Sequence, residues 1–175
     1  GIGARGWTCA WQQKHVIRES FIIKKSMHNI IYTWEEAIEN SYDLAEKIQA
    51  DGFLPDRVVG IIRGGVITGT IISYFLGKEF QALDADLRDY PHWEHYVPKK
   101  GDRKVLFVDD ILDSGETFSR IQERIDERRF DIEARYATLW YNNECELFKP
   151  DYFAIDIAKD STESWIILPW TSSET

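Results

Sequence analysis

The sequence is poor in cysteine: only Cys9 and Cys145 occur in 175 residues. Neither lies near histidines or other cysteines at zinc spacing, which excludes a disulfide framework and a zinc finger and fits a reducing, cytoplasmic setting. Long apolar runs are missing as well. None approaches the roughly 20 residues of a membrane span. An excess of positive charge is also lacking. The net charge is −9, so a general nucleic-acid surface is not expected. No Gly-rich loop ends in Gly-Lys-Ser/Thr, so an apolar strand ending in acid is not read here as part of a nucleoside-triphosphate hydrolase.

What charge there is lies unevenly. Residues 1–26 carry +4 and the remaining 149 carry −13. This leader, GIGARGWTCAWQQKHVIRESFIIKKS, shows no clear period, and its apolar stretch is too short and broken for a signal peptide. The single methionine, Met27, directly precedes the first clear pattern. The expected organisation is an upstream or accessory arm at 1–26 and one domain over 27–175.

From there the chain alternates between two periodicities. TWEEAIENSYDLAEKIQADG reads as an amphipathic helix, with Thr33 and Glu36 as a capping box and Gly52 at its close. RVVGII (57–62) is a continuous apolar run, as in a strand covered on both faces. A helix over VITGTIISYFLG, a strand at EFQALDA, a strand at KVLFV, a helix at ETFSRIQERIDERR and strands at ARYATLWY and DYFAIDI follow. Residues 86–103, polar and aromatic with two prolines, read as a long loop able to close over a site. Strands alternating with helices predict an α/β fold with a parallel twisted sheet flanked by helices. Ligands of such sheets bind beyond the carboxyl ends of the strands.

One strand end stands out. VLFVDDILDSGET, residues 105–117, runs from an apolar strand into acids and then a small, hydroxyl-rich turn before a helix. Free N–H groups and the positive end of the dipole make such a turn a phosphate cradle, with Ser114, Gly115 and Thr117 allowing close approach. Asp109 and Asp110 just before it can accept hydrogen bonds from sugar hydroxyls or hold a divalent cation. Together they suit a ribose 5-phosphate, acids on the hydroxyls and amides on the phosphate.

This stretch closely resembles the phosphoribosyl-pyrophosphate signature of type I phosphoribosyltransferases. GIIRGGVITG resembles the family's pyrophosphate loop. WIILPW and ATLWYNNECELFKPDYFAID are similar to segments of the xanthine-guanine and hypoxanthine (6-oxopurine) branch. The resemblance covers roughly residues 29–170 and implies the type I fold with a small hood from the C-terminal segment. It implies that Asp109 and Asp110 bind the ribose hydroxyls and, directly or through water, Mg²⁺. Asp113, Ser114, Gly115, Glu116 and Thr117 then form the 5-phosphate loop, and Asp113 stands near the purine N7 as a general base. Arg63, Gly64 and Gly65 match the pyrophosphate loop, where a cis bond is expected at Ile62–Arg63. Trp165 matches an aromatic packing on the base, and Ile166 a residue whose backbone reads its exocyclic group. The branch usually carries a lysine, donating to the 6-oxo group, where this chain has Asn142. Lys149 lies seven residues further on, too far along the loop to substitute.

The implied activity is transfer of the 5-phosphoribosyl group from phosphoribosyl pyrophosphate to a purine-like base in nucleotide salvage. The partners are these two small molecules, with no nucleic acid or membrane, in a homodimer or larger homo-oligomer. Two alternatives stay open: a base other than a purine, and a ligand-sensing regulator that keeps the sugar-phosphate site without the chemistry. Lys99, Lys100 and Arg103 are candidate pyrophosphate contacts, and Asp84 or Asp86 a contact to metal-bound water. His92, Glu94 and His95 read as a polar loop, since no third ligand completes a metal site.

Overall fold

Five strands lie parallel in one sheet, and the inner strands Arg57–Ile61 and Lys104–Leu112 carry apolar runs covered on both faces. The structure, a computed structural model, describes residues 29–84, 98–128 and 130–171. The leader, Asp86, His92, Glu94 and His95 lie outside the described residues. In chain order the elements are β1 (Asn29–Ile31), α1 (Trp34–Ala50), β2 (Arg57–Ile61), α2 (Gly64–Leu76), β3 (Glu79–Leu83), β4 (Lys104–Leu112), α3 (Glu116–Arg128), β5 (Glu133–Asn142), β6 (Tyr152–Ile157), α4 (Lys159–Thr162) and β7 (Trp165–Ile167). The main sheet runs β3-β2-β4-β5-β6, and every pairing in it is parallel. This is the expected α/β fold.

Helix α1 begins and α2 ends where the sequence signals them, while α2 begins at Gly64, two residues before the expected VITG. At the start of α1 the Glu36 N–H donates to Thr33 Oγ1 at 3.2 Å, and the Thr33 N–H donates to Glu36 Oε2 at 2.8 Å. That is the capping box. Gly77 closes α2 with φ +62, a conformation that costs glycine nothing. Successive side chains of β4 point to opposite faces. Leu106 and Val108 join a core under α1 and α2 with Leu44, Ile48 and Ile72. Val105 and Phe107 join a second core under α3 with Phe118, Ile121 and Ile125. Burying a side chain of this size stabilises the fold by about 1.5–3 kcal/mol.

Three features go beyond the sequence reading. The strand β4 does not stop at KVLFV but continues through both aspartates to Leu112, with Asp109 opposite Thr138 in register. The C-terminal hood is a separate two-stranded sheet, and its second strand is β1 from the domain's own beginning, paired in parallel with β7. Residues 99–103 sit at the amino edge of the sheet, away from the expected site. There Asp102 pairs with Arg57 at 2.8 Å, and Arg103 pairs with Asp131. The six residues of strand from Arg103 to Asp109 span about 20 Å, so Arg103 does not reach the pyrophosphate region.

Candidate functional site

The carboxyl ends of β2 and β4 meet at two glycines. A Cβ placed on Gly64 would stand 1.6 Å from Asp110 Oδ2, and one on Gly65 would stand 2.3 Å from the Val108 carbonyl oxygen. Only glycine lets the first turn of α2 press against the end of β4 this closely. The Arg63–Gly65 loop and the acid pair, 45 residues apart in sequence, are therefore one surface. The Ile62–Arg63 bond is cis, as expected. Arg63 itself is exposed at the helix start, where the free N–H groups of α2 add to its charge.

The two aspartates differ in their surroundings. Burial of its carboxyl, then the Asp110 charge beside it, push Asp109 well above the usual carboxylate range. Asp110 is held from three sides. Its Oδ1 accepts the Ile111 N–H at 2.8 Å, its Oδ2 accepts the Trp170 indole N–H at 3.0 Å, and its own N–H donates to Asp109 Oδ1 at 2.9 Å. Trp170 is thus more than tail packing. Its ring leans on Trp34, 5.6 Å between centroids, while its N–H fixes Asp110.

Beyond the acids the chain folds into a pocket lined by Asp109, Ile111, Leu112 and the 113–118 segment. Gly115 has φ +76, and a Cβ there would press on Cys145 and Phe148, so only glycine fits this bend. The Glu116 N–H donates to Ser114 Oγ at 3.4 Å, and α3 starts at Glu116. Ser114 and Glu116 are exposed, and Thr117 is half-buried. The pocket thus lies at the amino end of α3, with the hydroxyl side chains of Ser114 and Thr117 in its lining.

Across Asp113 stand the residues matched to the base. Trp165 is 54% exposed at the start of β7, while Ile166 is buried in the core. Asn142 is buried at the end of β5. Its Nδ2 donates to Asp113 Oδ1 at 3.2 Å, and its Oδ1 accepts the Lys159 N–H at 3.2 Å and the Glu144 N–H at 3.3 Å. A residue that the sequence reading passed over completes the group. The Lys159 ammonium contacts Asp113 and lies 4.9 Å from the centre of the Trp165 ring. It opens α4, directly after β6; extending the strand-end rule to DYFAIDI reaches it. Lys149 is exposed in the preceding loop. Asp84 directly follows β3 on the same edge of the sheet as the site.

Comparison with known proteins agrees with this geometry. Xanthine-guanine phosphoribosyltransferase of Cereibacter sphaeroides is 27% identical over 155 residues, spanning 79% of this chain and 84% of the relative. The enzyme of the same name from Vibrio atlanticus is 24% identical over 151 residues, spanning 83% and 91%. Among solved structures, a purine phosphoribosyltransferase from Pyrococcus horikoshii superposes with a TM-score of 0.64 at 24% identity, covering 85% of this chain and 98% of that one. The xanthine-guanine-hypoxanthine phosphoribosyltransferase of Helicobacter pylori gives 0.67 at 22% identity, covering 82% and 93%. These structures share the fold. The phosphoribosyl transferase domain matches residues 27–171, and the chain belongs to that family.

Proposed function

We propose that this enzyme transfers the 5-phosphoribosyl group of phosphoribosyl pyrophosphate to a 6-oxopurine and releases pyrophosphate. One observation carries the reading: the 113–117 cradle and Asp109 line one pocket, Asp110 beside Asp109 packs against Gly64 at the amino end of α2, and the half-exposed Trp165 ring is linked to Asp113 through Lys159. A phosphate, a sugar diol, a pyrophosphate and a flat base each find their complement in that order. The names of the relatives support a 6-oxopurine as the base.

In the reaction the bond from C1 to the pyrophosphate oxygen breaks, with its electron pair leaving on pyrophosphate. A bond from the base nitrogen to C1 forms, and the base loses a proton. C1 becomes cation-like in between, so catalysis rests on positioning and charge stabilisation. Asp109 and Asp110 orient the ribose hydroxyls, the 113–117 loop holds the 5-phosphate, and Arg63 with the first amides of α2 holds the leaving pyrophosphate. Asp113 accepts or directs the proton from the base. Trp165 stacks on the base, and the Ile166 backbone meets its exocyclic group.

Mg²⁺ fits this donor set. It is held by one or two carboxylates with substrate phosphates rather than by an all-protein cage. Burial and the Asp110 charge disfavour the Asp109 carboxylate, and a hard cation bound there would offset that repulsion. When bound it supplies charge neutralisation on the pyrophosphate and hydroxyl oxygens. No helix among the described residues is long and apolar enough to cross a membrane; we place the enzyme in the cytoplasm, as a homo-oligomer. Incubation with Mg²⁺, phosphoribosyl pyrophosphate and a panel of bases tests the function. Pyrophosphate release with guanine, hypoxanthine or xanthine is expected, and release with none of the panel overturns it.

A further inference from the structure

We infer that Lys159 is the cation that selects a 6-oxo base in this chain, and that Asn142, which stands where the lysine is usual, serves to position it. The inference rests on the function proposed above and assigns the base-selecting group within it. The lysine side chain is only 14% exposed. Lysines are seldom tucked in this far without a partner. Its ammonium has two, the Asp113 carboxylate and the face of Trp165. That places a positive charge against the ring on which the base stacks.

The chemistry follows from the edge that a purine presents. Beside N7, whose proton Asp113 accepts in the reacting base, guanine and hypoxanthine present the O6 acceptor, whereas adenine presents an amino donor. Asp113 and the Lys159 ammonium are in direct contact, so they stand side by side as N7 and the 6-substituent do. With Asp113 at N7, the ammonium faces position 6. It donates to an oxo group and meets an amino group donor to donor. A buried donor left without an acceptor is a strong source of discrimination.

The sequence around residue 142 is fitted to hold this arrangement. Both ends of the Asn142 amide are engaged, one on Asp113 and the other on the Lys159 and Glu144 backbone. Glu144 takes the Ser161 N–H at 2.8 Å and the Ser161 hydroxyl. These bonds hold its carboxyl below the usual range. Two side chains of the β5–β6 loop thus clamp the 159–162 turn at both ends. A lysine at 142 would lose the acceptor that fixes Lys159, while an asparagine supplies it.

The test compares wild type, Lys159→Met and Lys159→Arg. Steady-state rates with hypoxanthine, guanine and adenine are measured beside calorimetric affinities for GMP, AMP and ribose 5-phosphate. Lys159→Met is expected to lower kcat/KM for the 6-oxo bases about 10- to 100-fold, the size of one charged hydrogen bond. The GMP-over-AMP preference falls in parallel, and ribose 5-phosphate affinity stays within about twofold. Lys159→Arg keeps part of the preference. An unchanged oxo-over-amino preference in Lys159→Met overturns the inference. So does a loss of ribose 5-phosphate affinity as large as the loss for GMP, which marks a role in holding the site together. If the wild type turns over no base, the proposed reaction fails, and the GMP and AMP titrations still decide what Lys159 does.

Discussion

At the scale of single residues the site is a set of side chains held against their own preferences. Asp109 and Asp110 stand next to each other at the end of a strand, one of them desolvated, and such a pair costs the free protein stability. Asp109→Asn is therefore expected to raise the melting temperature of the ligand-free enzyme while lowering turnover, which calorimetry and a rate assay together read out. Asp110→Asn is expected to cut kcat/KM for phosphoribosyl pyrophosphate about 100-fold, the usual scale for losing a preorganised charge. Asp113→Asn should lower kcat more than it weakens substrate affinity, by about 10²- to 10⁴-fold, as for loss of a general base. Trp170→Phe isolates the indole N–H on Asp110. It keeps the ring against Trp34 and removes one charge-assisted bond, so KM for phosphoribosyl pyrophosphate should rise about 5- to 10-fold with kcat nearly unchanged. An unaltered KM would show that Asp110 needs no help from the tail.

At the scale of elements, the ends of the strands carry the function and their beginnings carry the tie between layers. Asp56 precedes β2 and accepts the Arg103 and Lys104 N–H groups at 2.8 and 2.9 Å, joining the starts of β2 and β4. Those two bonds, the Arg103 N–H first, hold its carboxyl below the usual carboxylate range. A depressed pKa contributes stability that is present above the unfolded value, near 4, and is lost as pH falls through the folded value. Asp56→Asn should therefore lower the melting temperature at pH 7 by a few degrees, on the order of 1 kcal/mol for two backbone bonds at an exposed site. The gap between variant and wild type should narrow as pH drops below about 4; a gap independent of pH would mean that the charge plays no part. The same elements show what was legible beforehand. Thr33, Glu36 and Gly77 act locally, so caps and helix ends could be read from a few neighbouring residues. The apolar run 57–62 and the signature at 105–117 placed two strands and the turn that lines the pocket for the same reason. Lys159 could not be read this way, because its role depends on Asn142 and Asp113, 17 and 46 residues away. The pairing of β1 with β7 was hidden likewise: three-residue strands carry too little periodicity, and their contact joins the two ends of the domain.

At the scale of the whole molecule, that pairing makes the hood depend on where the domain begins. The family match starts at Met27 and β1 at Asn29. Ile30 lies opposite Ile166, and the Tyr32 N–H donates to the Ile167 carbonyl at 3.0 Å, so the first residues of the domain brace the strand that carries Trp165. The proposed phosphate and pyrophosphate loops hang instead on β2, β4 and α2, which the main sheet holds without β1. Two truncations separate these dependencies. A chain starting at Met27 keeps β1 and is expected to retain wild-type KM for both substrates. A chain starting at Tyr32 loses β1, exposes the edge of β7 and loosens Trp165. Its KM for the base should rise about tenfold or more, the loss of roughly one stacked and well-placed ring contact, while ribose 5-phosphate affinity measured by calorimetry changes little. Equal KM values for the base in the two truncations would show that β7 is braced by the core beneath Ile166 alone. Loss of ribose 5-phosphate binding along with the base would show that hood and sheet form one cooperative unit.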